Sequence, residues 1–196
     1  MSDLLRFPAS ETEALYKEKG SKFIAYVFVV RSTEEVKEKI KYLRELHPQA
    51  VHVCSAWHLY ADNHEGQSSD DGEPSGSAGK PILNRIFSHR VRDVLVAVVR
   101  YYGGVKLGVS GLIHAYKTVS DEALNMAGVE ESEQKISRTF LFDYKMEGEM
   151  QSLLKKHRGE ILHKDYGQFI CWKVSFPLSE QFDLPYGVSE KENEPT

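Results

Sequence analysis

The sequence contains little cysteine and no long apolar run. Of its 196 residues only Cys54 and Cys171 carry thiols, and they lie far apart within apolar stretches. Two thiols in a chain of this size do not form a disulfide framework, so we expect reduced cysteines in the core. The longest unbroken apolar run, Phe23 to Val30, is much shorter than the ~20 residues that a membrane helix needs. The N-terminal residues also lack the basic and apolar regions of a secretory signal, so a cytoplasmic protein without a membrane partner is predicted.

The net charge is small, at −4, which argues against a nucleic-acid-binding protein coated with lysine and arginine. The charge is nevertheless unevenly distributed. Residues 74–120 contain only one acidic side chain, Asp93, and carry a net +6, which leaves −10 for the remainder. The basic side chains of this segment are Lys80, Arg85, Arg90, Arg92, Arg100, Lys106 and Lys117. Such asymmetry predicts a surface that faces anions, with a merely solvated face as the alternative.

The chain up to residue 128 has the pattern of alternating strands and helices. β-Branched, aromatic and continuous apolar runs predict strands at 22–30, 51–60 and 94–102. Apolar residues at helical spacing predict helices at 36–46, 82–87 and 112–124. Ser32 and Glu35 form a candidate capping box before the first helix, and Gly128 is a candidate end for the last.

The pattern restarts after a charged stretch that lacks apolar residues, which predicts a linker at 130–136. Strands are predicted at 138–144, 160–166 and 168–176, and a helix at 147–157 that ends at Gly159. The order is therefore β-α-β-β. The remaining residues, 178–196, contain proline, glycine and an excess of acidic side chains, which predicts a frayed tail.

Two glycine-rich loops each precede a predicted helix. The first glycine-rich loop spans residues 70–81 and the second spans residues 100–111. Free backbone N–H groups and the positive end of the helix dipole can hold a phosphate or carboxylate there, and glycine lets the ligand approach the main chain. Lys80, Arg100 and Lys106 would neutralise the anion. The predicted ligand-binding residues are Asp70, Asp71, Gly72, Glu73, Ser75, Gly76, Lys80, Arg100, Tyr101, Gly103, Gly104, Lys106, Gly108 and Gly111.

Other interpretations of these loops stay open. The glycines could serve packing alone, because glycine permits positive φ and close contact between helix and strand. Neither loop is a Walker motif, since Gly76 and Gly79 do not fit its spacing and Pro81 follows Lys80. The stretch 62–73 could hold a hard cation, but its spacing does not match a calcium loop, which favours a solvated, exposed acidic loop. No catalytic residue, metal or cofactor is predicted, because no nucleophile–base arrangement or metal-ligand spacing is evident.

Several segments together resemble the YigZ/IMPACT family. They are Gly20-Ser21-Lys22-Phe23-Ile24-Ala25, Val51-His52-Val53-Cys54, the stretch 69–83 and the stretch 100–116, and the resemblance covers residues 15–128. It implies an α+β protein: a two-layer α/β N-terminal domain of the ribosomal-protein and elongation-factor domain IV type, followed by a ferredoxin-like domain. The boundaries would be 1–129 for the first domain, 130–136 for the linker, 137–177 for the second domain and 178–196 for the tail.

The second domain is expected to be incomplete. The β-α-β-β pattern matches the first half of a ferredoxin-like domain, but the final helix and strand are not evident after Pro177. A truncated domain would leave a sheet edge exposed, and we expect the tail, a partner subunit or the first domain to cover it.

The resemblance implies a role in translation, because the eukaryotic members resemble translation regulators that act by protein binding. Our first hypothesis is a non-catalytic binding protein that contacts RNA, the ribosome or a translation-related protein through the basic segment. A nucleotide- or phosphate-binding enzyme that uses the glycine-rich loops is a second hypothesis, although fold alone does not establish activity. A protein-interaction adaptor that binds no RNA is the third. The oligomeric state, including a homo-oligomer, is left open.

Overall fold

The computed structural model describes residues 4–60, 66–133, 135–177 and 179–191. Its contacts divide the chain into an N-terminal unit, Leu5–Glu131, and a C-terminal unit that begins at Ser132 and also includes Leu4. The boundary falls within the predicted linker. That linker is not an irregular segment, however, because strands occupy Val129–Glu133 and the chain from Lys135 onward.

The N-terminal unit is built on a five-stranded antiparallel sheet. Its strands are β2 (Thr12–Glu18), β3 (Ser21–Val29), β4 (His52–His58), β5 (Gln67–Ser69) and β6 (Val94–Tyr101), and β1 (Leu4–Pro8) pairs with β7 (Val129–Glu133) in a separate two-stranded sheet. Its helices are α1 (Thr33–Leu46), α2 (Gly79–His89) and α3 (Gly108–Ala127). The strand order β2-β3-β6-β4-β5 places β6 at the centre. The predicted acidic loop at 62–73 contains a short strand, β5. Residues 62–65 of that loop lie outside the described residues.

Helices cover both faces of this sheet, so the unit has three layers where two were predicted. Alternate residues of β6 explain the difference. Val94, Val96 and Val98 pack with α2 and α3, whereas Leu95 and Val99 pack with the buried face of α1. Because successive side chains of a strand point to opposite faces, a strand that is apolar at every position needs cover on both sides.

Local signals set the helix boundaries. Ser32 Oγ accepts a hydrogen bond from Glu35 N at 3.2 Å, as a helix N-cap does. The Glu35 carboxylate accepts from Arg31 N, one residue before the position that a capping box would use. Gly128 ends α3 with a φ of 66°. The predicted helix beginnings and ends in this unit are thus confirmed to within a few residues. None of the described helices is long and apolar enough to cross a membrane.

The described part of the C-terminal unit is a four-stranded antiparallel sheet with one α-helix of 10 residues. Its elements are β8 (Lys135–Phe142), α4 (Glu147–Lys156), β9 (Glu160–Tyr166), β10 (Ile170–Pro177) and β11 (Val188–Lys191), with a single 3-10 turn at Tyr144–Met146. The strand order is β11-β8-β10-β9. Phe140, Phe142, Met150, Trp172 and Phe176 form the buried core between sheet and helix. Arg158, rather than Gly159, takes the left-handed conformation after α4.

The tail contributes a strand, which corrects the prediction that it is frayed. β11 pairs with β8 from Val188 opposite Phe142 to Lys191 opposite Thr139. The Glu190 carboxylate holds the Arg138 guanidinium, with Oε1 2.7 Å from Nε, and this contact raises the Arg138 pKa. The edge of β8 is therefore covered by the tail, one of the three covers that we expected.

Candidate binding surface

The first glycine-rich loop carries its own anion. Asp70 accepts hydrogen bonds from Gly76 N at 2.8 Å, Ala78 N at 3.0 Å and Gly79 N at 2.8 Å. Desolvation by itself would raise the pKa of Asp70, but the three backbone donors outweigh it and hold the pKa below the ordinary value. The N-terminus of α2 is therefore occupied by a carboxylate of the same loop, and the predicted phosphate does not fit there.

Asp71 ties this loop to two other elements. One carboxylate oxygen accepts from Val53 N of β4 at 2.6 Å, and the other accepts from the Arg44 guanidinium of α1. The carbonyl of Asp71 also lies 2.7 Å from His52 Nδ1. Asp71 holds a φ of 46°, and Gly72 follows with a φ of 87°. These contacts make Asp71 and Gly72 parts of a fixed turn.

Glu73 is buried, contrary to the prediction of an exposed acidic loop. Its Oε1 accepts from Arg100 Nη1 at 2.6 Å and from the Tyr116 hydroxyl at 2.8 Å. Its Oε2 lies 4.0 Å from His52 Nε2. Arg100 is also buried, so its charge is neutralised inside the protein and does not serve a surface anion as predicted. Within the described residues, no group of acidic, histidine and cysteine side chains is arranged to hold a metal ion.

Cys54 and Tyr116 extend this buried network. The Cys54 thiol lies 3.2 Å from the Tyr116 hydroxyl and 3.0 Å from the Asp70 carbonyl. Burial raises the pKa of the Cys54 thiol and that of the Tyr116 phenol well above their ordinary values. The thiol is therefore protonated at neutral pH, which removes the thiolate that a cysteine nucleophile needs. Tyr116 was not among the predicted ligand-binding residues, because it lies on the apolar face of the helix predicted at 112–124.

The second glycine-rich loop combines one close contact with two turns. At Gly103 an added Cβ would lie 1.9 Å from the carbonyl carbon of Gly20, so only glycine fits against the β2–β3 turn. Gly103 N also donates to Ser21 Oγ at 3.2 Å. Gly104 and Gly108 have φ values of 85° and 70°, with nothing near the position of a Cβ. Packing thus accounts for Gly103 and backbone conformation for the other two.

This loop leaves the beginning of α3 open. The residue before the helix, Leu107, makes no side-chain capping bond, and Gly111 lies in the first turn. A cavity of about 510 Å³ lies beside it. We call it the Tyr102 pocket, and its lining consists of Glu73, Pro74, Arg100, Tyr102, Lys106, Leu107, Gly108, Val109 and Leu112.

Neighbouring tyrosines of this loop lie on opposite faces of the sheet. Tyr101, a predicted site residue, points towards α1, where its hydroxyl lies 2.8 Å from His47 Nδ1. Desolvation lowers the pKa of His47 and raises that of Tyr26, its other partner, to about 12. Tyr102 is the residue that joins the pocket, with its ring centroid 5.8 Å from the Arg100 guanidinium. Strand alternation from Arg100 would have identified it, because every second residue faces the same side.

Three lysines of the basic segment remain exposed near α2 and α3. We call Lys80, Lys106 and Lys117 the lysine surface; they form no ion pair with the described residues. Lys80 and Lys117 line a second cavity of about 250 Å³ together with Gly76, Pro81, Asn84, Arg85 and Ile113. Arg85 lies 3.8 Å from Asp121, so part of its charge is neutralised. Ser75 immediately precedes Gly76 in the sequence. Its side chain is exposed and makes no hydrogen bond to a described residue.

The fold and its surface define a class of protein: an α+β chain of two units, in which the helices and a loop of the N-terminal unit carry basic side chains beside an apolar pocket. Residues 19–124 match the model of the Impact N-terminal domain. The chain is also 33% identical over 175 residues to the IMPACT family member YigZ of Escherichia coli, an alignment that covers 88% of this chain and 86% of YigZ. This protein therefore belongs to the IMPACT family.

Two solved structures resemble this chain to different extents. A crystal structure described as that of a hypothetical protein aligns with a TM-score of 0.72 and 32% identity, and the alignment covers 90% of this chain and 87% of the other. A structure described as that of the two-domain translational regulator Yih1 aligns with 28% identity and a TM-score of 0.40, over 65% of this chain and 51% of Yih1.

Proposed function

We propose that this protein is a non-catalytic binding protein that takes part in the regulation of translation and contacts RNA or the ribosome through the lysine surface. The observation that carries the proposal is the set of exposed cations Lys80, Lys106 and Lys117, which form no ion pair with the described residues and lie beside the two cavities of the N-terminal unit. Lysines that meet phosphates release counterions, which supplies affinity without a need for base contacts. The link to translation rests on membership of the IMPACT family, and not on the likeness in fold to Yih1.

We also infer a finer assignment of the two units. The N-terminal unit would be of the ribosomal-protein and elongation-factor domain IV type, here with α1 added on the second face. The C-terminal unit would be a ferredoxin-like domain that lacks its second helix, which is supported by its strand order β11-β8-β10-β9 and by the connection 179–187 in place of a helix. Paired domains of these types are consistent with a partner in the translation machinery.

An acidic protein is the second candidate partner, because apolar side chains lie beside the lysines. Val105, Val109 and Ile113 are exposed in or just after the second glycine-rich loop. Exposed apolar residues next to charged ones are typical of protein contacts. The nucleotide-binding enzyme has less support, since Asp70, Asp71 and Glu73 are all engaged in internal contacts and the described residues include no group of ligands arranged to hold a metal ion.

Co-sedimentation with ribosomes at low and moderate salt tests the proposal. The variant carries Lys80→Glu, Lys106→Glu and Lys117→Glu. The matched control carries Lys17→Glu, Lys37→Glu and Lys41→Glu, which make the same change in net charge at exposed positions of β2 and α1. Arg100 is left intact, because Arg100→Glu would place a second carboxylate beside buried Glu73 and disturb the fold.

We expect salt-sensitive binding by the wild-type protein and by the control, and loss of binding in the lysine variant. Equal binding by all the proteins would contradict the assigned surface. Absence of ribosome binding in the wild type, together with binding to an acidic protein that needs Lys106, would favour the second candidate.

A further inference from the structure

The Tyr102 pocket has the composition of a site for a flat, partly polar group. Its walls are mostly apolar, from Pro74, Leu107, Val109 and Leu112, whereas charged groups lie at Glu73 and Arg100. Ligand sites are commonly apolar cavities with a small number of placed polar groups that fix orientation. The volume of about 510 Å³ lies within the range of such sites.

The aromatic ring of Tyr102 forms one wall of the pocket and lies beside Arg100. The Arg100 guanidinium lies 5.8 Å from the Tyr102 ring centroid and 5.4 Å from that of Phe23. Glu73 fixes the guanidinium through the 2.6 Å hydrogen bond to Nη1. Tyr102 itself is 48% exposed, so part of its ring is open to a ligand. A planar base can stack on such a ring, and stacking of this kind tolerates any base.

Glu73 and Arg100 form the charged end of the pocket. Glu73 uses Oε1 for its two hydrogen bonds, and Oε2 has no hydrogen-bond partner among the described residues. Arg100 donates through Nη1, while its buried Nε has no partner in the described chain. The charged end is therefore held by contacts within the protein, and it fixes the guanidinium that lies beside the Tyr102 ring.

Cations beside this pocket match the charge of a nucleic-acid backbone. Lys106 lines the pocket itself, and Lys80 and Lys117 line the neighbouring cavity. We propose that the Tyr102 pocket binds an unstacked base of single-stranded RNA, with Tyr102 as the stacking platform and the lysine surface along the phosphates. This inference rests on the proposed function and specifies the form of RNA that the surface recognises.

Fluorescence anisotropy with a labelled, unstructured single-stranded RNA tests the inference. The competitors are the same RNA in a duplex and an abasic oligomer, which keeps the phosphates but lacks the bases. Tyr102→Ala removes the ring, and Tyr102→Phe keeps it. Tyr42→Ala, a change at a comparably exposed tyrosine of α1, is the matched control. Thermal unfolding of each variant checks the fold.

We expect Tyr102→Ala to weaken binding of the single strand about tenfold, the size of one lost stacking contact. Tyr102→Phe and Tyr42→Ala should bind as the wild type does, and the duplex and abasic competitors should compete poorly. Wild-type affinity in Tyr102→Ala, or equal competition by the abasic oligomer, would overturn the base pocket while leaving the lysine surface and the proposed function intact. A wild-type protein that binds no RNA would overturn both the pocket and the RNA contact.

Discussion

The first glycine-rich loop contains the carboxylate that occupies the N-terminus of its own helix, whereas the second contains none. Asp70 accepts three backbone N–H groups around the beginning of α2. At the beginning of α3 no side chain of the described residues is found in this role, and a cavity lies beside the helix instead. Both loops have glycines at positive φ and a lysine close to the helix. The comparison shows that a glycine-rich loop before a helix is open to a ligand only when its own side chains leave the helix terminus free.

The two loops therefore have different roles in this account. Changes in the first loop should reduce stability, because Asp70, Asp71 and Glu73 hold the fold together. Changes to exposed side chains of the second loop, such as Lys106, should leave stability nearly unchanged and reduce binding. Glu73 and Arg100 join the two loops through one buried ion pair.

The largest effect is expected at this ion pair. Glu73→Ala leaves the Arg100 guanidinium buried without its charge partner, and loss of one member of a buried pair costs about 3–5 kcal/mol. Urea denaturation should report this loss of free energy of unfolding. Glu73→Gln keeps an acceptor for Tyr116 and is the matched control with a smaller loss. Wild-type stability in Glu73→Ala would contradict the structural role of the first loop.

Two neighbouring glycines of the second loop allow the stability effect of close packing to be measured separately from that of backbone conformation. Gly103→Ala places a Cβ against the Gly20 backbone, where neither chain segment has room to move, and should cost about 3 kcal/mol. Gly104→Ala meets open space and suffers only from its φ of 85°, at about 1 kcal/mol. Thermal denaturation of the pair measures the difference. Equal melting temperatures would show that the loop does not pack on the β2–β3 turn as described.

Removal of the internal anion should have an intermediate effect with a defined pH dependence. Asp70→Ala leaves the N-terminus of α2 without its acceptor and should cost about 2 kcal/mol at neutral pH. Because folding lowers the Asp70 pKa, this contribution is complete above the unfolded pKa of about 3.9 and is lost as the pH falls through the lower, folded pKa. Urea midpoints of wild type and variant should therefore converge in acid. A difference that stays constant down to that pH range would contradict the assignment.

The smallest effect on stability is expected at Lys106. The side chain is exposed and has no ion pair in the described chain, so Lys106→Glu should change the free energy of unfolding by no more than about 0.5 kcal/mol. The same variant should bind RNA or ribosomes less well than the wild type. A clear loss of stability would show that Lys106 belongs to the fold and would remove it from the lysine surface.

Much of the N-terminal unit could be predicted because its signals are local. The apolar run of β6, the Ser32 cap of α1 and the terminal Gly128 of α3 each depend on a few adjacent residues. The strand in the tail was missed for the opposite reason. Val188–Lys191 has little strand pattern of its own and is held by pairing with β8, which is distant in the sequence.

Some of the predicted ligand-binding residues lie at the candidate surface and others do not. The difference arises because the sequence does not reveal which side chains contact one another in the fold. Arg100 was counted as a surface cation because its sequence neighbours do not reveal that Glu73, 27 residues away, neutralises it. Tyr101 was chosen in place of Tyr102, although alternation along β6 distinguishes them. Lys80 and Lys106 were predicted and are exposed, and their role as ligand-binding residues stays a prediction.

The salt dependence of RNA affinity tests the central claim most directly, because it counts the phosphates that a protein neutralises. The logarithm of the binding constant should fall linearly with the logarithm of salt concentration in the wild type. In the variant with Lys80→Glu, Lys106→Glu and Lys117→Glu the slope should be shallower by about 2, as expected for three lost contacts to a single strand. Asp70→Ala, measured under conditions where it is folded, should keep the wild-type slope. A lysine variant with an unchanged slope would contradict the claim that the open second loop and its lysines form the binding surface.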